Sequence, residues 1–147
     1  MATTRAQVET ILIRRAGKWL IAAGLDGTTI SGSNVDLNDP LGFAIRACGG
    51  TVASIASVAD ADLATVPDSD LDKLLDIAEL RTLESILGNY RLVDAKAGPV
   101  EAKASQLADR LERAIARLRS QLAIRYGIEG SSLSAGVIML SIAETNL

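Results

Sequence analysis

The sequence predicts a mainly α-helical fold, a small helical bundle with a long central loop and an extended C-terminal arm. Apolar residues recur at three- and four-residue steps in several segments, which places their side chains on one face of a helix. Aromatic residues make up only 3% of the 147 residues, so the core must consist of Leu, Ile, Val and Ala. The apolar share of 48% is typical of a globular protein of one domain.

The first helix is predicted from about Thr4 to Ala23. Gln7 stands three residues after Thr4, the spacing of a capping box, and Gly24 follows as a stop. Seven apolar residues share one face, namely Val8, Ile11, Leu12, Ala16, Trp19, Leu20 and Ala23. The basic residues Arg14, Arg15 and Lys18 lie towards the other side, and a solvated face explains them better than a binding patch.

Residues 24–38 interrupt the helical period and predict a long loop. Glycine and asparagine favour turns there, and a short β-hairpin around residues 31–34 is an open alternative. A loop of this length in a small domain often carries a contact surface. The candidate contact residues are Thr28, Ile30 and Val35.

Three further helices are predicted. One begins at Asn38-Asp39-Pro40, with Asn38 or Asp39 as the cap, and runs through Cys48. A second runs over 68–90, with Asp68, Ser69 or Asp70 as the cap, whereas 51–66 could be a helix or a mixed segment. The third covers 99–126, and Gly127 is placed as its C-terminal cap. Its narrow apolar stripe comprises Leu107, Leu111, Ile115, Leu118 and Leu122.

The residue types argue against an enzyme, a cofactor or a metal site. The chain contains no histidine, which excludes Ser-His-Asp and Cys-His catalysis and histidine ligation. A lone cysteine, Cys48, is better explained as a buried small residue than as a reactive thiol. Asp68, Asp70, Asp72 and Glu79 have the spacing of a calcium loop, but Lys73 stands where the turn requires glycine. Carboxylates at a helix start explain the cluster better.

The charges suggest contacts between copies of the chain. A net charge of −3 without a basic arm argues against nonspecific DNA binding as the main function. The segment around residues 60–84 is acidic, and the last helix is rich in arginine. Solvated faces, with pairs such as Asp109–Arg113, are the simpler interpretation. Charge-complementary packing between subunits is the alternative, with Arg110, Arg113, Arg117, Asp72 and Asp76 as candidate contacts.

The last twenty residues, 128–147, predict an arm that contacts a partner. A Gly/Ser-rich lead-in precedes a compact apolar patch, and such a patch left exposed would favour aggregation. Either it packs on its own domain or another chain covers it; the flexible lead-in favours the second. The candidate contact residues are Val137, Ile138, Met139, Leu140 and Ile142.

The order of these elements resembles the head-to-tail connector, or adaptor, proteins of tailed bacteriophages. The resemblance lies in an N-terminal helix followed by the segments DLNDPLGFAIRACGG, LDKLLDIAELRTLESILGNY and QLADRLERAIARLRSQL. It implies a ring of about a dozen copies that joins the portal to another neck or tail-completion protein and surrounds the passing DNA. Residues 1–127 would be the connector domain, and 128–147 the arm that reaches the portal.

The resemblance also implies a location in the virion neck after synthesis in the host cytoplasm. The N-terminus does not look like a signal peptide, and no apolar run approaches the length needed to span a membrane. A cellular helical protein-interaction module without catalytic activity remains the alternative function.

Overall fold

The computed structural model describes residues 2–94 and 101–127, and its side chains are described for 2–89 and 106–127. Within these ranges the chain forms helices and loops but no β-strand. The five α-helices are α1 (Arg5–Ala22), α2 (Asn38–Ala47), α3 (Asp60–Leu63), α4 (Leu71–Asp94) and α5 (Glu101–Tyr126). The predicted mainly α-helical fold is confirmed. Residues 128–147, predicted as an arm, lie outside the described residues.

Helix α1 begins as predicted, at a capping box. The Thr4 hydroxyl accepts from the Gln7 amide at 3.4 Å, and the Thr4 amide donates to Oε1 of Gln7 at 3.0 Å. These two bonds satisfy amides that the helix itself leaves without partners. Four residues of the predicted stripe are fully buried, namely Val8, Leu12, Ala16 and Leu20.

Helix α2 has the predicted position but not the predicted cap. A 3₁₀ helix, Val35–Leu37, leads directly into it, so that Leu37 is the residue before the first helical position. The Asn38 side chain instead donates to the Ala56 carbonyl at 2.9 Å and accepts from the Val58 amide at 3.3 Å. Asn38 therefore ties the start of α2 to the following loop, and the prediction of Asn38 or Asp39 as the cap is wrong.

Helix α4 is the centre of the bundle, because α1, α2 and α5 all pack against it. It begins three residues later than predicted, after a 3₁₀ helix at Asp68–Asp70, and it extends to Asp94 through Gly88. The sequence predicted a single apolar stripe, but residues 74–78, 80, 82, 83 and 86 are all buried. A helix surrounded by three others is covered on more than one face, which the stripe did not indicate.

Helix α5 runs antiparallel to α4. Tyr126 near its end contacts Asp76 early in α4, whereas Arg119 contacts Glu84 further along α4. Leu111, Ile115 and Leu122 of the predicted stripe are buried, and Leu107 and Leu118 are half-buried. The helix ends at Gly127, whose φ of 64° is the left-handed cap that the sequence predicted.

The loops between helices are irregular. Within residues 24–34 the chain forms turns, so the alternative of a hairpin is not observed. Residues 51–59, which the sequence left open, form a loop that ends at the short helix α3. Asp62 of α3 accepts from the amides of Ala53 at 3.0 Å and Ala59 at 2.8 Å and so holds this loop in place.

Candidate interaction surfaces

A buried ion pair on α1 connects three segments of the chain. Nε of Arg5 donates to Oε1 of Glu9 at 2.8 Å, and both side chains are almost completely buried. The Arg5 guanidinium also donates to the carbonyls of Val58 and Asn34, and the Arg5 amide donates to Asp60. Each charge therefore has several partners, which is the condition under which a buried ion pair is tolerated.

The Glu9 carboxylate fixes the long loop by binding its backbone. It accepts from the Gly32 amide at 2.7 Å and from the Asn34 amide at 3.0 Å. Buried Asn34 in turn donates to the carbonyls of Asp26 at 3.0 Å and Thr29 at 3.1 Å. Because these side chains satisfy the loop's polar backbone groups, no pairing between two strands is needed.

A second restraint on the loop is a close approach between two backbones. A Cβ added to Gly17 on α1 would stand 2.9 Å from the carbonyl oxygen of Gly27, and a Cβ on Gly27 would be even closer to the oxygen of Gly17. Only residues without a side chain allow this approach. The loop is therefore held against α1 at two places: Glu9 binds residues 32–34, and Gly17 packs against Gly27.

The loop contact residues proposed from the sequence lie on the outside of this restrained loop. Thr28 is exposed, Ile30 is 48% exposed and Val35 is 75% exposed. The Asp26 carboxylate accepts hydrogen bonds from the turn before Ile30. The Thr29 side chain and the amides of Thr29 and Thr28 thereby lower the pKa of Asp26 to about 2. The loop thus displays two branched apolar side chains on a fixed backbone.

A second polar cluster, the Asp76 cluster, joins α1, α4 and α5. Asp76 accepts from Arg15 at 2.8 Å, from the Tyr126 hydroxyl at 3.0 Å and from Arg125 at 3.3 Å. Arg15 also reaches Oε2 of Glu79 at 3.3 Å. Burial raises the pKa of Glu79, although the charge of Arg15 opposes this, and burial together with the bond to Asp76 raises the pKa of Tyr126.

The Asp76 cluster lines a groove of 440 Å³ between the three helices. Arg117 reaches the same groove from α5, so two of the predicted inter-subunit residues, Asp76 and Arg117, are brought together. Asp76 is only 7% exposed, and its carboxylate is occupied by residues of its own chain. Its contacts therefore hold three helices of the same chain together.

The other predicted inter-subunit residues, Arg110, Arg113 and Asp72, are exposed, and so is Arg117. Arg110, Arg113 and Arg117 follow one another at three- and four-residue steps along α5 and have no ion-pair partner in the part of the chain that the structure describes. The predicted pair between Asp109 and Arg113 is likewise not formed there. We call these three arginines the arginine row.

Exposed carboxylates lie at the opposite end of α4 from the arginine row. Asp72 stands in the first turn of α4, and Asp68 and Asp60 precede it, all three exposed. Because α5 is antiparallel to α4 and Arg119 already reaches Glu84, the row lies towards the C-terminal half of α4. The chain therefore carries the arginine row, with exposed Asp109 and Glu112 beside it, towards one end of α4 and exposed carboxylates at the other end.

The carboxylates with calcium-like spacing do not converge. Asp68 and Asp70 lie in the 3₁₀ turn, Asp72 lies on α4, and Glu79 contacts Arg15. Within residues 2–89 and 106–127, whose side chains are described, no three acidic or cysteine side chains are grouped as metal ligands. Cys48 is half-buried, and burial raises its thiol pKa. None of the described helices has the length and apolar character to cross a membrane.

Sequence reasoning missed the buried ion pair, although a signal for it exists. Arg5 and Glu9 are four residues apart and fall on the same face as Val8 and Leu12, so two charges stand on a buried stripe. The sequence contains no comparable signal for the contact between Arg15 and Asp76. Its partner Asp76 is 61 residues away, and only the packing of α1 on α4 brings them together.

Comparison with known proteins identifies no relative of this chain. No protein-family model, curated protein or solved structure matches it significantly.

Proposed function

We propose that this protein is a structural subunit that assembles into a ring, acting as the adaptor between the portal and the neck of a tailed bacteriophage. Its task is to join neighbouring proteins and to form part of the channel through which DNA passes. It needs no cofactor and catalyses no reaction. The order of helices that resembles the connector family suggested this role, and the distribution of exposed charge supports it.

The observation that carries the proposal is the separation of charge along α4. The arginine row lies towards one end, and Asp60, Asp68 and Asp72 lie at the other. Two copies placed head to tail would bring the arginine row of one against the exposed carboxylates of the next. A head-to-tail contact uses two different surfaces and closes into a ring when the rotation between copies fits.

The restrained loop supports the same role. Ile30 and Val35 are exposed on a backbone that Glu9 and Asn34 hold from within. A rigid apolar surface loses little conformational entropy when it binds, which favours a stable contact. We assign this loop to the next neck or tail-completion protein, and residues 137–142 to the portal.

Charge reversal tests the head-to-tail contact. Arg113→Glu and Asp72→Arg should each abolish ring formation, and the chain that carries both changes should recover it because the pair is restored with reversed sign. Mass photometry and negative-stain imaging, with and without portal rings, would measure the assemblies. Arg14→Glu is the matched control, because Arg14 is exposed on α1 away from the row.

Two results would contradict the proposal. A chain that stays monomeric at all concentrations and leaves portal rings bare would remove the adaptor role and favour the cellular interaction module. Equal loss of assembly in Arg14→Glu and Arg113→Glu would show that net charge, and not the arginine row, matters.

A further inference from the structure

An apolar groove of 520 Å³ lies between the N-terminal half of α1 and the start of α4. Its apolar lining consists of Val8, Ile11, Leu71 and Leu75. A second cavity, of 320 Å³, shares Thr3 and Leu71 with the first, but its lining is mostly polar and includes Asp68. The volume of the first groove is by itself in the range of sites that bind a small ligand or a short peptide segment.

The chain leaves α5 beside this groove. The Tyr126 hydroxyl lies 3.0 Å from Asp76, and Asp72, which lines the groove, stands one helical turn before Asp76 on α4. The charge of Asp72 also helps to raise the pKa of Tyr126. Gly127, with its φ of 64°, ends the helix at this point.

The remaining sequence is long enough to reach the groove and has a suitable segment. Nine residues, 128–136, separate Gly127 from Val137, and a chain of that length spans up to about 30 Å. The segment 137–142, VIMLSI, carries no charge and five large apolar side chains. A segment tethered so closely has an effective concentration on the order of millimolar at the groove, which a separate molecule rarely reaches.

We propose that the groove between α1 and α4 binds residues 137–142 of the same chain in the isolated subunit. The apolar segment is thereby covered until an assembly partner withdraws it. The inference concerns the isolated chain, so it can fail while the ring proposal stands, and the reverse is equally possible.

Disulfide trapping in the full-length chain tests this inference. In a Cys48→Ala background, Thr10→Cys places a thiol in the groove lining and Met139→Cys places one in the segment. The matched control combines Met139→Cys with Ser85→Cys, an exposed position on α4 outside the groove. Ser85 lies about 21 Å along the helix from Leu71, within the reach of the same tether.

We expect the Thr10 pair to form an intramolecular disulfide at least about tenfold faster than the Ser85 pair, independently of protein concentration. Adding Leu71→Gln should remove most of this difference while circular dichroism confirms the helices. Equal rates for the two pairs, or an advantage that survives Leu71→Gln, would overturn the inference. So would disulfide-linked dimers in place of monomers, because they assign the groove to a second copy.

Discussion

The two polar clusters of this protein differ in burial, and with it in what they control. The pair Arg5–Glu9 is enclosed, and its partners are mostly backbone groups of the long loop and of residues 58–60. The Asp76 cluster is partly open, and its partners are side chains of other helices, of which Arg125 is 57% exposed in its side chain. A buried charge can determine the path of a loop, whereas a cluster at the edge adds a modest attachment between helices that already pack.

The largest effect is expected from breaking the buried pair. Glu9→Ala leaves Arg5 charged and unpaired inside the protein and should lower the free energy of unfolding by about 3–5 kcal/mol. Glu84→Ala is the control, because its pair with Arg119 is at the surface and should contribute about 0–1 kcal/mol. Chemical denaturation followed by circular dichroism measures both, and equal losses would contradict the distinction.

A double substitution sharpens this prediction. Replacing the pair together, Arg5→Met with Glu9→Leu, removes both charges and should recover much of the stability that Glu9→Ala loses. The loop should nevertheless become more mobile, because the amides of Gly32 and Asn34 lose their acceptor. Faster hydrogen exchange at those two amides is the expected readout, and unchanged exchange would assign the loop's order to other contacts.

The second-largest effect is expected at the close approach of the loop to α1. Gly17→Ala forces a methyl group to within 2.9 Å of the Gly27 carbonyl oxygen, and we expect a loss of about 1–3 kcal/mol. Gly88→Ala is a helical control with no atom within 4 Å of the new methyl group, and it should stabilise the protein by up to about 1 kcal/mol. Thermal unfolding of the two variants measures both changes in stability. If Gly17→Ala stabilised the protein, the close approach of Gly27 to Gly17 would not restrain the loop.

Asp76→Asn should have a smaller effect. Asparagine keeps the shape and one acceptor oxygen but loses the charge that Arg15 and Arg125 face, so about 1 kcal/mol is expected. Asp72→Asn, one turn away and exposed, should change stability by less than about 0.5 kcal/mol. If the two substitutions had the same effect, the Asp76 cluster would contribute nothing beyond its net charge.

The smallest effect is a difference in acid response between two carboxylates that hold loops, Asp26 and Asp62, and Glu79 of the Asp76 cluster. The pKa of Asp26 lies below the ordinary 3.8 because the Thr29 side chain and the amides of Thr29 and Thr28 bind its carboxylate, and the amides of Ala59 and Ala53 lower the pKa of Asp62. Stability from these groups is fully present above pH 4 and is lost as the pH falls through their folded pKa values. Glu79 has its pKa raised above 4.5 by burial, so its contribution changes in the opposite direction and improves as it becomes protonated.

Thermal unfolding between pH 6 and pH 2 measures this difference. The variant Asp62→Asn should lose less stability than the unmodified chain below about pH 4, since its side chain no longer titrates. Glu79→Gln should lose the gain that protonation of Glu79 provides on mild acidification. Identical profiles of stability against pH for all three proteins would show that neither Asp62 nor Glu79 contributes to the acid response.

The sequence by itself determined where most helices lie. Helix ends and apolar faces depend on neighbours within one or two helical turns, so they can be deduced from spacing alone. Examples are the capping box of Thr4 and Gln7, the cap at Gly127 and the apolar stripe on α5. The arginine row and the exposed loop residues could also be named in advance. What they contact in another molecule is a property of the partner as well, and it stays a prediction.

Only the tertiary structure decided the roles that depend on distant partners. Asn38 was predicted as a cap, but the loop at Ala56–Val58 binds its side chain instead. Asp76 was predicted to face another subunit, yet Arg15 and Tyr126 of its own chain occupy it. Helix α4 is buried on several faces because three helices surround it. Such contacts join residues that are tens of positions apart, and local spacing carries no information about them.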